Sequence, residues 1–144
     1  MKKTARFAIR QADQQDGKRI ADFNGAMALE TEGLSLDPER SLQGVTELIR
    51  HPEYGFYLVA DSSAGMIGQL MVTYEWSDWR NGIFWWIQSV YVLPEFRNRG
   101  VVRCLLEEAE RRAASDPKVC GLRLYGEQET HRAQTTYLHQ GFQA

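Results

Sequence analysis

The sequence predicts an α/β fold in which helices cover both faces of a mixed central β-sheet. Strand-like runs bounded by turn residues alternate along the chain with stretches whose apolar residues follow a helical spacing. The run at residues 83–92 is apolar on both faces, as expected of a strand at the centre of a covered sheet. The predicted order of elements is β-α-α-β-β-β-α-β-α.

The first third of the chain is predicted to form one strand, at residues 6–10, and two helices. The first helix is expected to end at Gly33. The second begins at Asp37-Pro38-Glu39, because Asp caps free N–H groups and Pro suits the first helical position. It ends before Pro52. The apolar faces consist of Ile20, Phe23 and Met27 in the first helix and of Leu42, Val45, Leu48 and Ile49 in the second.

Three strands are predicted in the middle of the chain, at residues 55–61, 66–75 and 83–92. Turns at residues 62–65 and 77–82 connect them, the second of which ends in an Asn-Gly pair. Strict alternation along the third strand places Phe84, Trp86, Val90 and Val92 on one face and Ile83, Trp85, Ile87 and Tyr91 on the other.

The last part of the chain is predicted as helix, strand and helix, at residues 101–115, 121–125 and 131–140. Gly141 is suited to end the last helix. The apolar stripe of the first of these two helices is expected to consist of Val102, Leu106, Ala109 and Ala113, with Val101 and Leu105 beside it.

Length and composition exclude several classes of protein. The 144 residues fit a single domain, 1–144, and the formal charge of −2 with a pI near 5.9 argues against a nucleic-acid binder. The spacing of Cys104 and Cys120 matches no redox motif, and the three histidines lack a metal-ligand pattern, so no metal site is predicted. No apolar run is long enough to span a bilayer, and we expect a soluble, cytoplasmic protein.

A candidate binding segment follows the central strand, where two arginines and a glycine precede a helix: Arg97-Asn98-Arg99-Gly100-Val101-Val102. The first N–H groups of a helix lack partners within the helix and attract anions. A loop around such an end holds a phosphate, and Gly100 lets a ligand come close. The alternative is an ordinary surface turn with two solvated arginines, since one glycine makes neither a P-loop nor a dinucleotide motif.

This segment resembles the acetyl-CoA motif of the GNAT N-acetyltransferase superfamily, Gln/Arg-x-x-Gly-x-Gly/Ala. The preceding Val90-Tyr91-Val92-Leu93-Pro94-Glu95 is similar to the family's central strand and its exit. The family's later Asn-x-x-Ala, Tyr and Gly-Phe pattern corresponds to Thr130-His131-Arg132-Ala133, Tyr137 and Gly141-Phe142. The order of elements also matches, so the resemblance covers nearly the whole chain.

The resemblance implies a role for each of these segments. Backbone amides of residues 98–102 would hold the pyrophosphate of acetyl-CoA, with Arg97 and Arg99 adding charged donors. Val90, Tyr91 and Val92 would meet the pantetheine arm and the acetyl carbonyl. That strand would diverge from the one at residues 121–125. Tyr137 would protonate the departing thiolate as general acid, although a tyrosine on a helix face is equally expected in a core.

The sequence departs from the family pattern at three points. Val102 stands where a small residue is usual, and Thr130 replaces the usual Asn. The chain ends at Ala144, just after Gly-Phe, where relatives of the family usually add one more strand; that strand is expected to be absent or clipped.

The general base of the reaction is open, because the stretch 84–89 contains no acid or histidine. Glu75 and Asp78, beside the tryptophans, are candidates for the base through water, and so are Glu30 and Glu32, where the first two helices meet. The acids beside the tryptophans would also suit a cationic amine with apolar parts. Each is equally explained as a solvated surface acid.

The leading hypothesis is an acetyl-CoA-dependent N-acetyltransferase acting on the primary amine of a small molecule. The alternatives are N-acetylation of a protein or peptide, or an acyl-CoA-binding sensor without turnover. A homodimer is also expected, since the Trp-rich strands would leave apolar surface to cover.

Overall fold

The computed structural model of the chain describes residues 6–124 and the backbone of residues 136–137. A six-stranded sheet holds the strands in chain order, and only β4 and β5 run parallel. The elements are β1 (Phe7–Gln11), α1 (Gly17–Glu32), α2 (Pro38–Arg50), β2 (Gly55–Ser62), β3 (Gly65–Ser77), β4 (Gly82–Val92), α3 (Val101–Ala114), β5 (Val119–Leu124) and β6 (Thr136–Tyr137). The predicted order is therefore confirmed from β1 to β5, and so is the mixed α/β architecture.

The predicted ends of the first two helices are confirmed in atomic detail. Asp37 caps α2, because its Oδ1 accepts hydrogen bonds from the amides of Glu39 and Arg40 at 3.0 and 3.4 Å. Gly33 ends α1 in the left-handed conformation, with φ 67°, and its amide donates to the carbonyls of Ala28 and Leu29. These local signals were readable because capping depends on a few neighbouring residues.

The sheet separates two apolar cores. The first lies between the sheet and α3 and includes Leu58, Leu70, Ile87 and Leu122. The second lies between the sheet and the α1–α2 pair and includes Ile20, Val45 and Val59, together with Phe23 and Tyr91. Helices thus cover both faces, as predicted, and β4 contributes to both cores.

A bulge in β4 corrects the predicted alternation of this strand. Gln69 of β3 pairs with Tyr91, whereas Met71 pairs with Gln88, so β4 has one residue more than β3 over this interval. Ser89, at φ 55°, lies within it. The extra residue reverses the alternation. Val90 and Val92 therefore join Ile83, Trp85 and Ile87 on the α3 side, and Tyr91 lies on the opposite side.

Two further sequence predictions are wrong in detail. The buried stripe of α3 consists of Val101, Leu105, Ala109 and Ala113, while Val102 is 40% exposed. Residues four positions apart lie on nearly the same side of a helix. These four residues are on the side of α3 that faces the sheet. The segment 131–140 was predicted as a helix, but its described residues, Thr136 and Tyr137, form a strand antiparallel to β5. The rest of that segment lies outside the described residues.

Candidate active site

The connection from β4 to α3 forms the candidate anion-binding segment. A short 3-10 turn at Pro94–Phe96 leads out of β4, and Asn98 and Gly100 then adopt left-handed conformations, with φ 63° and 84°. Gly100 is the N-cap residue of α3, and no side chain of the described residues caps the first turn of this helix. The free amides of this first turn are therefore available to an anion.

The last residues of β4 lie beside this helix start. The register between β4 and β5 runs up to Ile87 and Leu124, and β4 continues to Val92. On the side of β5, residues 90–92 thus have no pairing partner within the part of the chain that the structure describes. Their other side is held by β3, through the pairs Gln69–Tyr91 and Gly68–Val92. An unpaired strand edge of this kind offers backbone N–H and C=O groups to a ligand, here without the carbonyl of Val92, which accepts a hydrogen bond from Arg97.

Glu30, Tyr91 and Arg97 form a polar cluster that joins α1 to the β4–α3 connection. Nη2 of Arg97 lies 3.0 Å from Oε1 of Glu30, and the Tyr91 hydroxyl donates to Oε2 at 3.1 Å. Nε of Arg97 also donates to the carbonyl of Val92 at 2.7 Å. The guanidinium beside Glu30 lowers the pKa of that carboxyl, whereas burial chiefly raises the pKa of Tyr91.

Glu30 and Glu75, two of the four candidate acids predicted from the sequence, lie at different places on the α1–α2 side of the sheet. Glu30 is part of the cluster just described, near the end of β4. Glu75 lies opposite Phe84, near the start of β4. It accepts a hydrogen bond from Nε1 of Trp86 at 2.7 Å, and Nη1 of Arg123 lies 3.4 Å from it. The structure does not bring the two acids together.

The remaining predicted residues are partly described. Arg99 is exposed and its guanidinium lies 5.7 Å from the centre of the Phe96 ring. Asp78 and Glu32 are exposed. Thr130 lies outside the described residues, and of Tyr137 only the backbone is described, so the role of its hydroxyl stays a prediction.

Sequence reasoning missed Gln69 and Ser89. The side chain of Gln69 is fully buried, and its Nε2 donates to the carbonyl of Ser89 at 3.0 Å and to Oδ1 of Asn24 at 2.8 Å. The available signal was a single amide side chain within the apolar run 66–72. A buried polar group in such a run needs a partner. The bulge supplies one for Nε2, whereas Oε1 is buried without a hydrogen-bond partner among the described residues.

Sequence comparison identifies the family. The model of the acetyltransferase (GNAT) domain matches residues 53–144. The chain belongs to the GNAT acetyltransferase family, which confirms the resemblance seen in the sequence and supports acyl-CoA-dependent N-acetyl transfer in general.

Solved structures give the relatives. The chain is 42% identical to a possible acetyltransferase from Clostridium difficile 630, with a TM-score of 0.80 over 85% of this chain and 81% of that one. A predicted acetyltransferase with acetyl-CoA from Clostridium acetobutylicum shares the fold at 17% identity, with a TM-score of 0.61 over 84% of this chain and 81% of that one. A ribosomal-protein-alanine N-acetyltransferase from Brucella melitensis does so at 12% identity, with a TM-score of 0.69 over 89% and 85%. No curated protein matches the chain significantly.

Proposed function

We propose that this chain transfers the acetyl group of acetyl-CoA to the primary amine of a small molecule. The observation that carries the proposal is the juxtaposition of the start of α3 at Gly100 with the edge of β4 at residues 90–92; among the described residues, the first has no side-chain cap and the second has no strand partner. The helix start suits a phosphate, and the strand edge suits an extended chain that contains amides. A coenzyme with a pyrophosphate and a pantetheine arm has both groups.

The residues present fit this coenzyme. Asn98 and Gly100 adopt left-handed backbone conformations, which bring the backbone of the β4–α3 connection close to the helix start. The amides of Val101, Val102 and Arg103 are the donors of the first turn, and exposed Arg99 and Arg103 add positive charge. Acetyl-CoA supplies an activated thioester whose leaving group is a thiolate. Thr130 is predicted to contact it as well.

We propose that Arg97 contributes through its bonds to protein groups. Its guanidinium holds the carbonyl of Val92 and the carboxylate of Glu30, so it joins the end of β4 to α1. This bonding fixes the direction in which the unpaired edge of β4 points. We assign Arg97 an organising role, with its guanidinium directed to protein groups.

The acceptor amine is proposed to approach from the α1–α2 side of β4. Tyr91 and Glu30 lie on this side near the unpaired edge, and the side chain of Glu30 is 41% exposed, so a ligand can reach it. A carboxylate kept ionised by Arg97 favours a cationic amine before it reacts. Tyr137 is proposed as the general acid that protonates the thiolate.

Calorimetric titration with acetyl-CoA is the first test, run on the wild type and on an Arg97→Ala, Gly100→Glu double variant. Saturable binding by the wild type that the variant loses supports the assigned site. An acceptor panel of small primary amines and of peptides with free N-termini then follows, read out by release of the coenzyme thiol. Turnover on peptides alone would replace the small-molecule proposal with peptide acetylation, whereas binding without turnover on any acceptor would support a sensor.

We further propose a cytoplasmic homodimer. Aromatic side chains at the β3–β4 hairpin are exposed: Tyr74 by 37%, Trp76 by 55% and Trp79 by 91%. Exposed aromatic side chains grouped on one hairpin favour association. Among the described helices, none is long and apolar enough to cross a membrane.

A further inference from the structure

The bulge of β4 needs a stabilising contact that the sheet does not provide. Ser89 and Val90 have no register partner on β3, because the pairing passes from Gln88–Met71 directly to Tyr91–Gln69. Ser89 also adopts φ 55°, a conformation that non-glycine residues rarely occupy and that raises the energy of the backbone. Such a conformation persists only where neighbouring groups hold it.

Gln69 provides that contact. Its side chain is fully buried, and one nitrogen, Nε2, donates to the carbonyl of Ser89 at 3.0 Å and to Oδ1 of Asn24 at 2.8 Å. Asn24 belongs to α1. The bulge is thus tied through Gln69 to a helix.

The chemistry of the site requires an amide at position 69. Two acceptor oxygens, one from Ser89 and one from Asn24, converge on the same nitrogen, and only a donor with two hydrogens satisfies both. An apolar side chain of equal length would leave the carbonyl of half-buried Ser89 without this partner. A carboxylate there would face two acceptors in a fully buried position.

The position of the bulge connects Gln69 to the proposed reaction. The extra residue sets which way the backbone of residues 90–92 faces, and this is the segment that the proposed function assigns to the coenzyme. We propose that Gln69 is a positioning residue, which holds the Ser89 bulge and so presents the unpaired edge of β4 to the acyl-CoA thioester. This inference rests on the proposed function. Gln69 itself, with no exposed surface, touches neither the coenzyme nor the acceptor.

The test compares Gln69→Met with Val72→Ala. Both residues are fully buried on β3, but Val72 lies in the core on the α3 side, opposite Ile87 and outside the bulge. Both variants are expected to unfold at lower temperature than the wild type. Only Gln69→Met is expected to weaken acetyl-CoA binding, by about tenfold, since the lost hydrogen bond to the Ser89 carbonyl is worth roughly that factor. Equal affinity in the two variants would mean that Gln69 serves packing alone.

A rescue variant separates positioning from general stability. Glycine adopts positive φ without strain, so Ser89→Gly lowers the cost of the bulge and reduces its dependence on Gln69. The double variant Gln69→Met, Ser89→Gly is therefore expected to regain most of the lost affinity, whereas Val72→Ala, Ser89→Gly should bind as Val72→Ala does. No recovery in the double variant would overturn the proposal. Should Gln69→Met fail to fold, Gln69→Asn, which keeps the amide but shortens its reach, is compared in the same way.

A measurement without ligand keeps this inference distinct from the proposed function. Amide hydrogen exchange at residues 90–92 is expected to be faster in Gln69→Met than in Val72→Ala, relative to the exchange of β2 in each variant. Unchanged exchange would refute the positioning role whatever the coenzyme is. If the wild type does not bind acetyl-CoA but the exchange at residues 90–92 responds as expected, the proposed function fails while the link from Gln69 to the bulge stands.

Discussion

Replacing Gly100 with alanine tests the binding segment most directly. Gly100 has φ 84° and ψ 9°, and an added Cβ would meet only the end of the Arg103 side chain, 3.3 Å away. A left-handed alanine costs about 1–2 kcal/mol, partly offset by about 0.4–1 kcal/mol from the stiffer unfolded chain. The net loss of roughly 1 kcal/mol corresponds to a fall in Tm of about 2–4 °C for a chain of this size.

Gly33→Ala is the matched control. Gly33 ends α1 at φ 67° and ψ 20°, and a Cβ added there meets nothing within 4 Å. The two variants thus impose nearly the same backbone strain, and similar falls in Tm are expected. They differ in what lies nearby, since only Gly100 begins the helix whose free amides are assigned to the pyrophosphate.

Calorimetric titration with acetyl-CoA distinguishes the two variants. Gly100→Ala is expected to bind about 10–100-fold more weakly than the wild type, because one charge-assisted hydrogen bond, worth about 1.5–3 kcal/mol, is lost. Gly33→Ala is expected to bind like the wild type. If both variants bind equally well, no ligand approaches Gly100 closely and the assignment of the pyrophosphate to this helix start is wrong.

Three further predictions concern the acid, the fold and the assembly. Tyr137→Phe is expected to lower kcat by about 10²–10⁴-fold with little change in acetyl-CoA affinity, and steady-state kinetics with unchanged kcat would remove the hydroxyl from the reaction. The hydrogen bond from Arg10 lowers the pKa of Asp16 from its ordinary 3.8, so this stabilisation is complete above pH 3.8 and is lost as the pH falls through the lowered pKa. The Tm difference between the wild type and Asp16→Asn should therefore be full at pH 7 and narrow below pH 3.8, whereas a constant gap would contradict the linkage. Light scattering is expected to give twice the chain mass for the wild type and a smaller mass for Trp79→Ser; a monomeric wild type would end the dimer proposal.

The sequence predicted the elements well because their signals are local. Three features depend only on residues within one turn or one strand: the cap of α2 at Asp37, the end of α1 at Gly33, and β4 with its two apolar faces. The free start of α3 was likewise readable from the turn that contains Gly100. Local signals of this kind need no knowledge of distant partners.

The bulge shows where local reasoning ends. Strict alternation along β4 is the natural prediction from its apolar residues, and nothing within the strand marks Ser89 as an extra residue. The cause lies twenty positions earlier in the chain, in the amide of Gln69, which reaches Ser89 only once β3 and β4 are paired. The face of Val90 and Tyr91 was therefore predicted wrongly, although the strand was predicted correctly.

The structure also narrows the search for the base. Glu30 is near the unpaired edge of β4, but the guanidinium of Arg97 keeps the pKa of this carboxyl low. A weakly basic carboxylate does not readily accept a proton from an ammonium group. Glu75 pairs with Phe84, six residues before Val90 along β4, which corresponds to roughly 20 Å. Neither Glu30 nor Glu75 is both close to the unpaired edge of β4 and basic enough to accept the proton. Glu30 is better suited to attract the protonated amine than to deprotonate it, so the proton is expected to leave through water or through a group beyond these two acids.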